Sequence, residues 1–401
     1  MLVSENFSRI KKAAAMLTAV FLCLCLCACS GVQENETTEK SFSLPAVEMS
    51  DRPSEGEISA KSAVVIEASS GDIIWSKNCD QRLPMASTTK IMTALVALQA
   101  CDIQKTVKIS PLAVGVEGSS VYLYEGEELT MENLLYAMLL ESANDAAAAI
   151  AIEVGGSISG FADMMNKTAR DLGLENTSFE NPHGLDGEDH YTTAKELALI
   201  ARAAMQNETF RKIVSTYKTT IPLNTDEGAR LLINHNKLLR SYEGAIGIKT
   251  GFTKKSGRCL VSAAARDGVE YICVTLNAPS DWSDHTRLLD YASSLYELRE
   301  LCAEGEYIYS LPLINASEDT VAVSNKKSVS VILPRNCENI EYVMELPRFH
   351  FGGVVADDEL GTLVIYLDGE IIAETPLRAE YTVANRKNKT NLLEWIASLF
   401  D

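Results

Sequence analysis

Positive charge is in deficit: 36 Lys and Arg stand against 55 Asp and Glu, a formal charge of −19 over 401 residues. A field of that sign disfavours nucleic acid and anionic lipid as general partners, leaving attraction for anions to local basic spots, so no nucleic-acid partner is expected. Histidine is sparse. His183, His190, His235, His285 and His350 show no ligand spacing with a carboxylate or thiol, and no metal site is expected. Neither a glycine-rich phosphate loop nor a Gly-x-Ser-x-Gly elbow occurs, and no cofactor is expected. No Cys-x-x-Cys spacing links the six cysteines beyond the N-terminal region, Cys79, Cys101, Cys259, Cys273, Cys302 and Cys337. They read as small hydrophobes rather than as a scaffold or a ligand set.

What is present begins with the apolar run Ala13 to Ala28 behind Arg9, Lys11 and Lys12. It is short for a membrane span and fits a secretory signal over residues 1–28. Leu26-Cys27-Ala28-Cys29 resembles a lipoprotein processing box that would leave a lipid on Cys29; plain cleavage near Ala28 is the alternative. The signal carries three positive charges and one negative, Glu5, so its removal takes the formal charge from −19 to −21. Residues 29–57, rich in Glu, Ser, Thr and Asn, read as a flexible tether.

With 46% hydrophobic and 23% charged residues the chain can bury a large core in more than one domain. Ala63–Ala68 and Asp72–Trp75 flank Ser69-Ser70-Gly71, which predicts a hairpin, and Cys259–Arg266 with Val269–Leu276 around Asp267-Gly268 predicts a second. Helical stretches lie between them, at Lys90–Ala100, Met131–Leu140, Ala146–Val154, Phe161–Leu172 and Thr193–Met205. An α/β (α+β) domain over 58–298 follows, with a sheet assembled from both ends and helices packed on it. Residues 299–383 change to short β-branched runs, a separate all-β domain without a catalytic string. The last stretch, 384–401, repeats Leu392, Leu393, Trp395, Ile396, Leu399 and Phe400 at helical spacing behind Arg386, Lys387 and Lys389. That pattern suits an amphipathic helix on a membrane surface, or one docked on its own domain.

Three strings carry chemistry: Ser87-Thr88-Thr89-Lys90, Ser142-Ala143-Asn144 and Lys249-Thr250-Gly251. A serine needs a base to become a nucleophile, and Lys90 sits one helical turn from Ser87 on the same face. The run Ile91–Leu98 buries that helix, so desolvation lowers the Lys90 pKa, and Lys249 pushes the same way. Ser142 is placed to relay a proton, and Asn144 to hold Lys90 and the substrate backbone; a plain helix start capped by either residue is the alternative. Lys249, Thr250 and Gly251 on a strand edge suit an extended substrate ending in a carboxylate. The amides of Ser87 and Phe252 are candidates for an oxyanion hole.

These strings, with Gly118-Ser119-Ser120, Asn181-Pro182-His183-Gly184-Leu185 and Thr192-Thr193-Ala194, resemble the serine D-alanyl-D-alanine carboxypeptidases among the low-molecular-mass penicillin-binding proteins. The resemblance implies a β-lactamase/transpeptidase-like catalytic domain, a C-terminal β domain and a terminal membrane anchor, with action outside the cytoplasm. It implies release of the terminal D-alanine from peptidoglycan pentapeptides through an acyl-enzyme on Ser87, with β-lactams as covalent inhibitors. A β-lactamase is the nearest alternative, but the Glu-x-x-Leu-Asn string of class A enzymes is absent. A DD-endopeptidase and an inactive peptidoglycan-binding protein are the others.

Overall fold

Side-chain alternation in one strand explains the layering of the main domain in this computed structural model, which describes residues 44, 52–223 and 228–386. All of Ser62–Glu67 is buried, so both faces of the strand are covered. Val64 and Ile66 enter a core cluster with the helices, while Ala63 and Val65 join Trp75, Leu288 and Leu289 on the opposite face. The sheet runs, in spatial order, Ile73–Lys77, Ser62–Glu67, Val269–Leu276, Gly257–Arg266 and Ala245–Thr253, all antiparallel. Ala245–Thr253 is thus an edge strand.

One face carries the helix Asp281–Leu295, whose buried His285 sits between Ser262 and Thr275 hydroxyls of the sheet at 2.5 and 3.0 Å. The other face carries the helical region, centred on Lys90–Ala100 and surrounded by Met131–Leu140, Asn144–Gly155, Ile158–Asp171, Ala194–Met205 and Glu208–Ser215. Alanines at 146–149 and 151 are all buried, which lets neighbouring helices approach closely. A hairpin, Lys218–Leu223 with Gly228–Ile233, extends beside this region; the sequence reading did not anticipate it.

Packing against the sheet starts before residue 58, because the Trp75 indole N–H donates to the Pro53 carbonyl at 2.8 Å. At the other end, Asp281–Leu295 leads directly into the strand Tyr296–Cys302, which pairs with Val329–Pro334. Arg335 fastens this junction, with Nε donating to the Ser293 carbonyl at 3.0 Å and the guanidinium paired with Asp267. A six-stranded sheet follows, in the order Ile340–Glu345, Glu359–Leu367, Glu370–Ala379, Thr320–Asn325, Ile308–Ile314, His350–Phe351, over its own apolar clusters. The six cysteines are free, and Cys259, Cys273 and Cys302 are buried. The expected signal, Cys29, most of the tether and residues 387–401 of the expected terminal helix lie outside the described residues.

Candidate active site

Ser87 lies in a short 3-10 turn, Ala86–Thr89, that feeds the helix Lys90–Ala100. The turn is strained. Ala86 has φ +49°, a left-handed conformation that costs a non-glycine residue on the order of 1 kcal/mol. Its carbonyl accepts from Thr89 Oγ1 at 2.8 Å and lies against Gly184, where a Cβ would stand only 1.9 Å from that oxygen.

Lys90 is fully buried, and its Nζ meets three oxygens: Ser87 Oγ at 3.0 Å, Asn144 Oδ1 at 2.6 Å and the His183 carbonyl at 2.6 Å. Two of these can only accept. A neutral amine has two N–H bonds and one lone pair, so with Asn144 and His183 taking the N–H bonds the lone pair is left for the Ser87 hydroxyl. Burial holds the Lys90 pKa well below the ordinary lysine value; the charge on Lys249 lowers it further, and Asp145 opposes both.

Asn144 opens the helix Asn144–Gly155, and the side chains of Asn144 and Asp145 pin the facing loop. Asn144 Nδ2 donates to the Glu117 carbonyl at 2.5 Å, which fixes its Oδ1 toward Lys90. Asp145 accepts from Ser120 Oγ at 2.6 Å and from the Leu123 amide at 3.0 Å. Neither Ser142 nor Asn144 caps this helix; the cap position is Ala143, with no side-chain hydrogen bond. Ser142 sits on the turn before it at φ +61°, nearly buried, and no hydrogen bond joins it to Ser87 or Lys90 among the described residues.

Strand register places Lys249 on the helical side of the sheet. It pairs with Val261, which pairs with Val274, which pairs with Val64, and all three valines belong to the helical-side core. Desolvation over that apolar row pushes the Lys249 pKa down to about 7. Its Nζ donates to the Thr250 carbonyl at 2.8 Å and has no ion-pair partner among the described residues. A lysine so placed, when protonated, has charge left to offer an anion. Gly251 brings the strand against the nucleophile turn: a Cβ there would stand 3.0 Å from the Ser87 nitrogen and 3.1 Å from that of Thr88. Thr250 is half-buried, and the Phe252 side chain is 65% exposed.

The profile of the D-alanyl-D-alanine carboxypeptidase family, peptidase S11, matches residues 48–280. The chain belongs to that family. The penicillin-binding protein 5 C-terminal domain matches residues 296–385, the all-β part. A D-alanyl-D-alanine carboxypeptidase of Bacillus subtilis, DacF, is 33% identical over 82% of this chain and 87% of its own length. Among solved structures, the D-alanyl-D-alanine carboxypeptidase DacD of Francisella tularensis is similar at 28% identity and TM-score 0.61, covering 85% of this chain and 98% of that one. A point mutant of the Streptomyces K15 DD-transpeptidase is 34% identical with TM-score 0.57 over 59% of this chain and 99% of that one. The K15 match is confined to a length suited to the catalytic domain alone, whereas the other two extend into the β domain.

Two residues of this family member went unassigned in the sequence reading. His183 contributes its carbonyl to Lys90, while its ring, pushed down to about 3 by burial and then by the Lys90 charge, is neutral. His190 lies behind the nucleophile turn, its Nε2 2.8 Å from Thr89 Oγ1 and its Nδ1 3.0 Å from the Glu180 amide. The signal for both was adjacency to the quoted strings: His183 stands inside Asn181–Leu185, and His190 precedes Thr192-Thr193-Ala194 by two residues. Screening histidines only for metal spacing passed them over.

Proposed function

We propose that this protein is a serine DD-carboxypeptidase that removes the terminal D-alanine from peptidoglycan pentapeptides. The neutral Lys90 amine takes the Ser87 proton as Oγ attacks the penultimate D-alanine carbonyl. The oxyanion is held by the Ser87 and Phe252 amides. Asn144 keeps Lys90 aimed and contacts the substrate backbone, and Ser142 passes the proton on to the departing amine. Lys249 and Thr250 bind the C-terminal carboxylate of an extended peptide laid along the free edge of Ala245–Thr253, and Gly251 leaves that edge clear. Water then releases the acyl group from Ser87 by the reverse proton path. β-Lactams enter the same path and remain on Ser87. The observation that carries this reading is the 3.0 Å approach to Ser87 of a buried Lys90, its pKa lowered by desolvation, with its other two partners restricted to accepting.

The purified protein is expected to release D-alanine from a pentapeptide ending in D-Ala-D-Ala and to retain covalently bound fluorescent penicillin, both abolished in Ser87→Ala. Penicillin turnover without D-alanine release points to a β-lactamase; cleavage of cross-linked dimers in preference to pentapeptides points to an endopeptidase. An unlabelled native protein overturns the enzyme reading. The acidic chain is held at the extracytoplasmic face of the membrane by its terminal basic-apolar segment, 384–401, with a lipid on Cys29 as a further anchor. Loss of membrane association in a chain that ends at Ala384 and also carries Cys29→Ala, and palmitate labelling that vanishes in Cys29→Ala, are the matching results. Retained association without either element contradicts the anchoring.

A further inference from the structure

The nucleophile turn and the loop that supplies the His183 carbonyl are separate in sequence, yet Lys90 can hold Ser87 and that carbonyl at once only if their spacing is fixed. His190 spans the gap, buried at 3% exposure. The Glu180 amide can only donate, so Nδ1, 3.0 Å away, must be the unprotonated nitrogen and Nε2 must carry the hydrogen. Nε2–H then donates to Thr89 Oγ1 at 2.8 Å, and Thr89 Oγ1 passes its own hydrogen to the Ala86 carbonyl at 2.8 Å. This directional relay ends on the one peptide group whose left-handed residue sets the direction of Ser87. At its other end, Glu180 begins the segment Glu180–Leu185, in which Asn181 Oδ1 accepts from the His183 and Gly184 amides at 3.2 and 2.8 Å and presents the carbonyl that Lys90 uses. Phe179 meets the His190 ring edge-on, with centroids 5.8 Å apart, and limits its rotation.

We infer that His190 is a positioning residue for acylation, a strut whose protonated Nε2 orients the Thr89 hydroxyl onto Ala86 and whose Nδ1 ties that turn to the loop bearing the His183 carbonyl. Burial keeps the ring neutral, near a pKa of about 4, so the same tautomer persists through the neutral range. The strut is hydrogen-bonded to neither Lys249 nor Thr250, so its loss slows acylation and spares carboxylate recognition. The inference rests on the acyl-enzyme reading, and penicillin labelling of the native protein checks that reading first.

The test is stopped-flow acylation by a fluorescent penicillin, separating the noncovalent dissociation constant from the acylation rate constant. His190→Gln keeps a donor where Nε2 stood but gives up the Nδ1 acceptor, and is expected to lose less than the two variants without that donor. His190→Asn keeps only the acceptor at Nδ1, and His190→Phe keeps neither. Both are expected to lose about 10- to 100-fold in rate constant, the scale of a misaligned attack, with the dissociation constant unchanged. Thr89→Val, which preserves side-chain shape, is expected to lose a similar factor, Thr89→Ser to recover it, and Thr89→Val with His190→Phe to lose no more than either alone. Should His190→Phe fail to fold, the Thr89→Val and Thr89→Ser pair decides. Full acylation in Thr89→Val, equal rates in His190→Gln and His190→Asn, or a loss confined to the dissociation constant overturns the inference.

Discussion

Replacing Gly251 by alanine isolates one catalytic element from the rest. The added methyl would stand 3.0 Å from the Ser87 nitrogen and 3.1 Å from the Thr88 nitrogen. Ordinary contact lies near about 3.5 Å, so the strand or the turn must yield by roughly 0.4–0.5 Å. Backbone conformation raises no objection, since Gly251 is absent from the positive-φ residues and alanine suits an extended strand. The stability cost is therefore expected at about 1 kcal/mol or less, read as a small fall in the thermal midpoint. The Ser87–Lys90 pair is formed within its own turn and helix and is left in place. What suffers is approach to the Ser87 amide, half of the proposed oxyanion hole. Outright removal of one such donor costs about 10²–10³-fold; a crowded donor is expected to cost about 10- to 100-fold in acylation rate. Penicillin acylation measured beside thermal unfolding separates the two effects. A native rate in a folded Gly251→Ala protein would refute the placing of the Ser87 amide in the oxyanion hole, and a collapse of stability would refute the assumption that the turn can yield.

Further outcomes follow from the two buried lysines and their holder. Acylation rises with pH as Lys90 loses its proton, at a pH well below that of an ordinary lysine, and carboxylate-dependent turnover falls above about pH 7 as Lys249 discharges; a pH–rate profile that keeps climbing past pH 9 contradicts the charged role of Lys249. Lys249→Met removes the charge that lowers the Lys90 pKa, so the acid limb of penicillin acylation moves to higher pH, and an unmoved limb denies the coupling. The same change raises stability at pH 6 by about 1–4 kcal/mol, because an unpaired buried cation is replaced by an apolar chain. Lys249 has a folded pKa lowered to about 7 from 10.5, so the native fold gains stability as pH climbs from about 7 toward 10.5, and the advantage of the methionine variant narrows over that window in chemical unfolding. Asn144→Ala deprives Lys90 of one of its two obligate acceptors and frees the Glu117 carbonyl. Acylation is expected to fall about 100-fold with a loss of about 1–3 kcal/mol of stability; an undiminished rate shows that the His183 carbonyl alone aims the amine.

Much of the site was legible because its parts are local. Ser87 and Lys90 share a turn, Ser142 and Asn144 share a corner, and Lys249 to Phe252 share a strand, so short strings carry them and periodicity supplies the elements. The desolvation of Lys90 could be read from the apolar run after it, and that of Lys249 could not: its burial depends on a row of valines from three other strands, a matter of register. The alternative of a plain helix start capped by Ser142 or Asn144 does not hold, for a related reason. A serine or asparagine before an alanine-rich run ordinarily serves its own helix, whereas here the Asn144 side chain is committed to Lys90 and to the Glu117 carbonyl, leaving an alanine at the cap position.

Ala86 marks the limit of such reading. An alanine favours the right-handed helix, and nothing in its neighbours signals a left-handed one. Its carbonyl is held by the Thr89 hydroxyl of the same turn and, from outside, by the bare face of Gly184 against the same oxygen. Gly184 is itself at φ +88°, and any side chain there would displace the oxygen that Thr89 binds. Gly184→Ala therefore combines backbone strain of about 1–3 kcal/mol with dislocation of the Ser87 turn. In contrast to Gly251→Ala, it is expected to lower the thermal midpoint and acylation together, the latter by about 100-fold or more. Retention of both would mean that the turn carrying Ser87 holds its shape without the loop, the Thr89 hydroxyl on the Ala86 carbonyl sufficing.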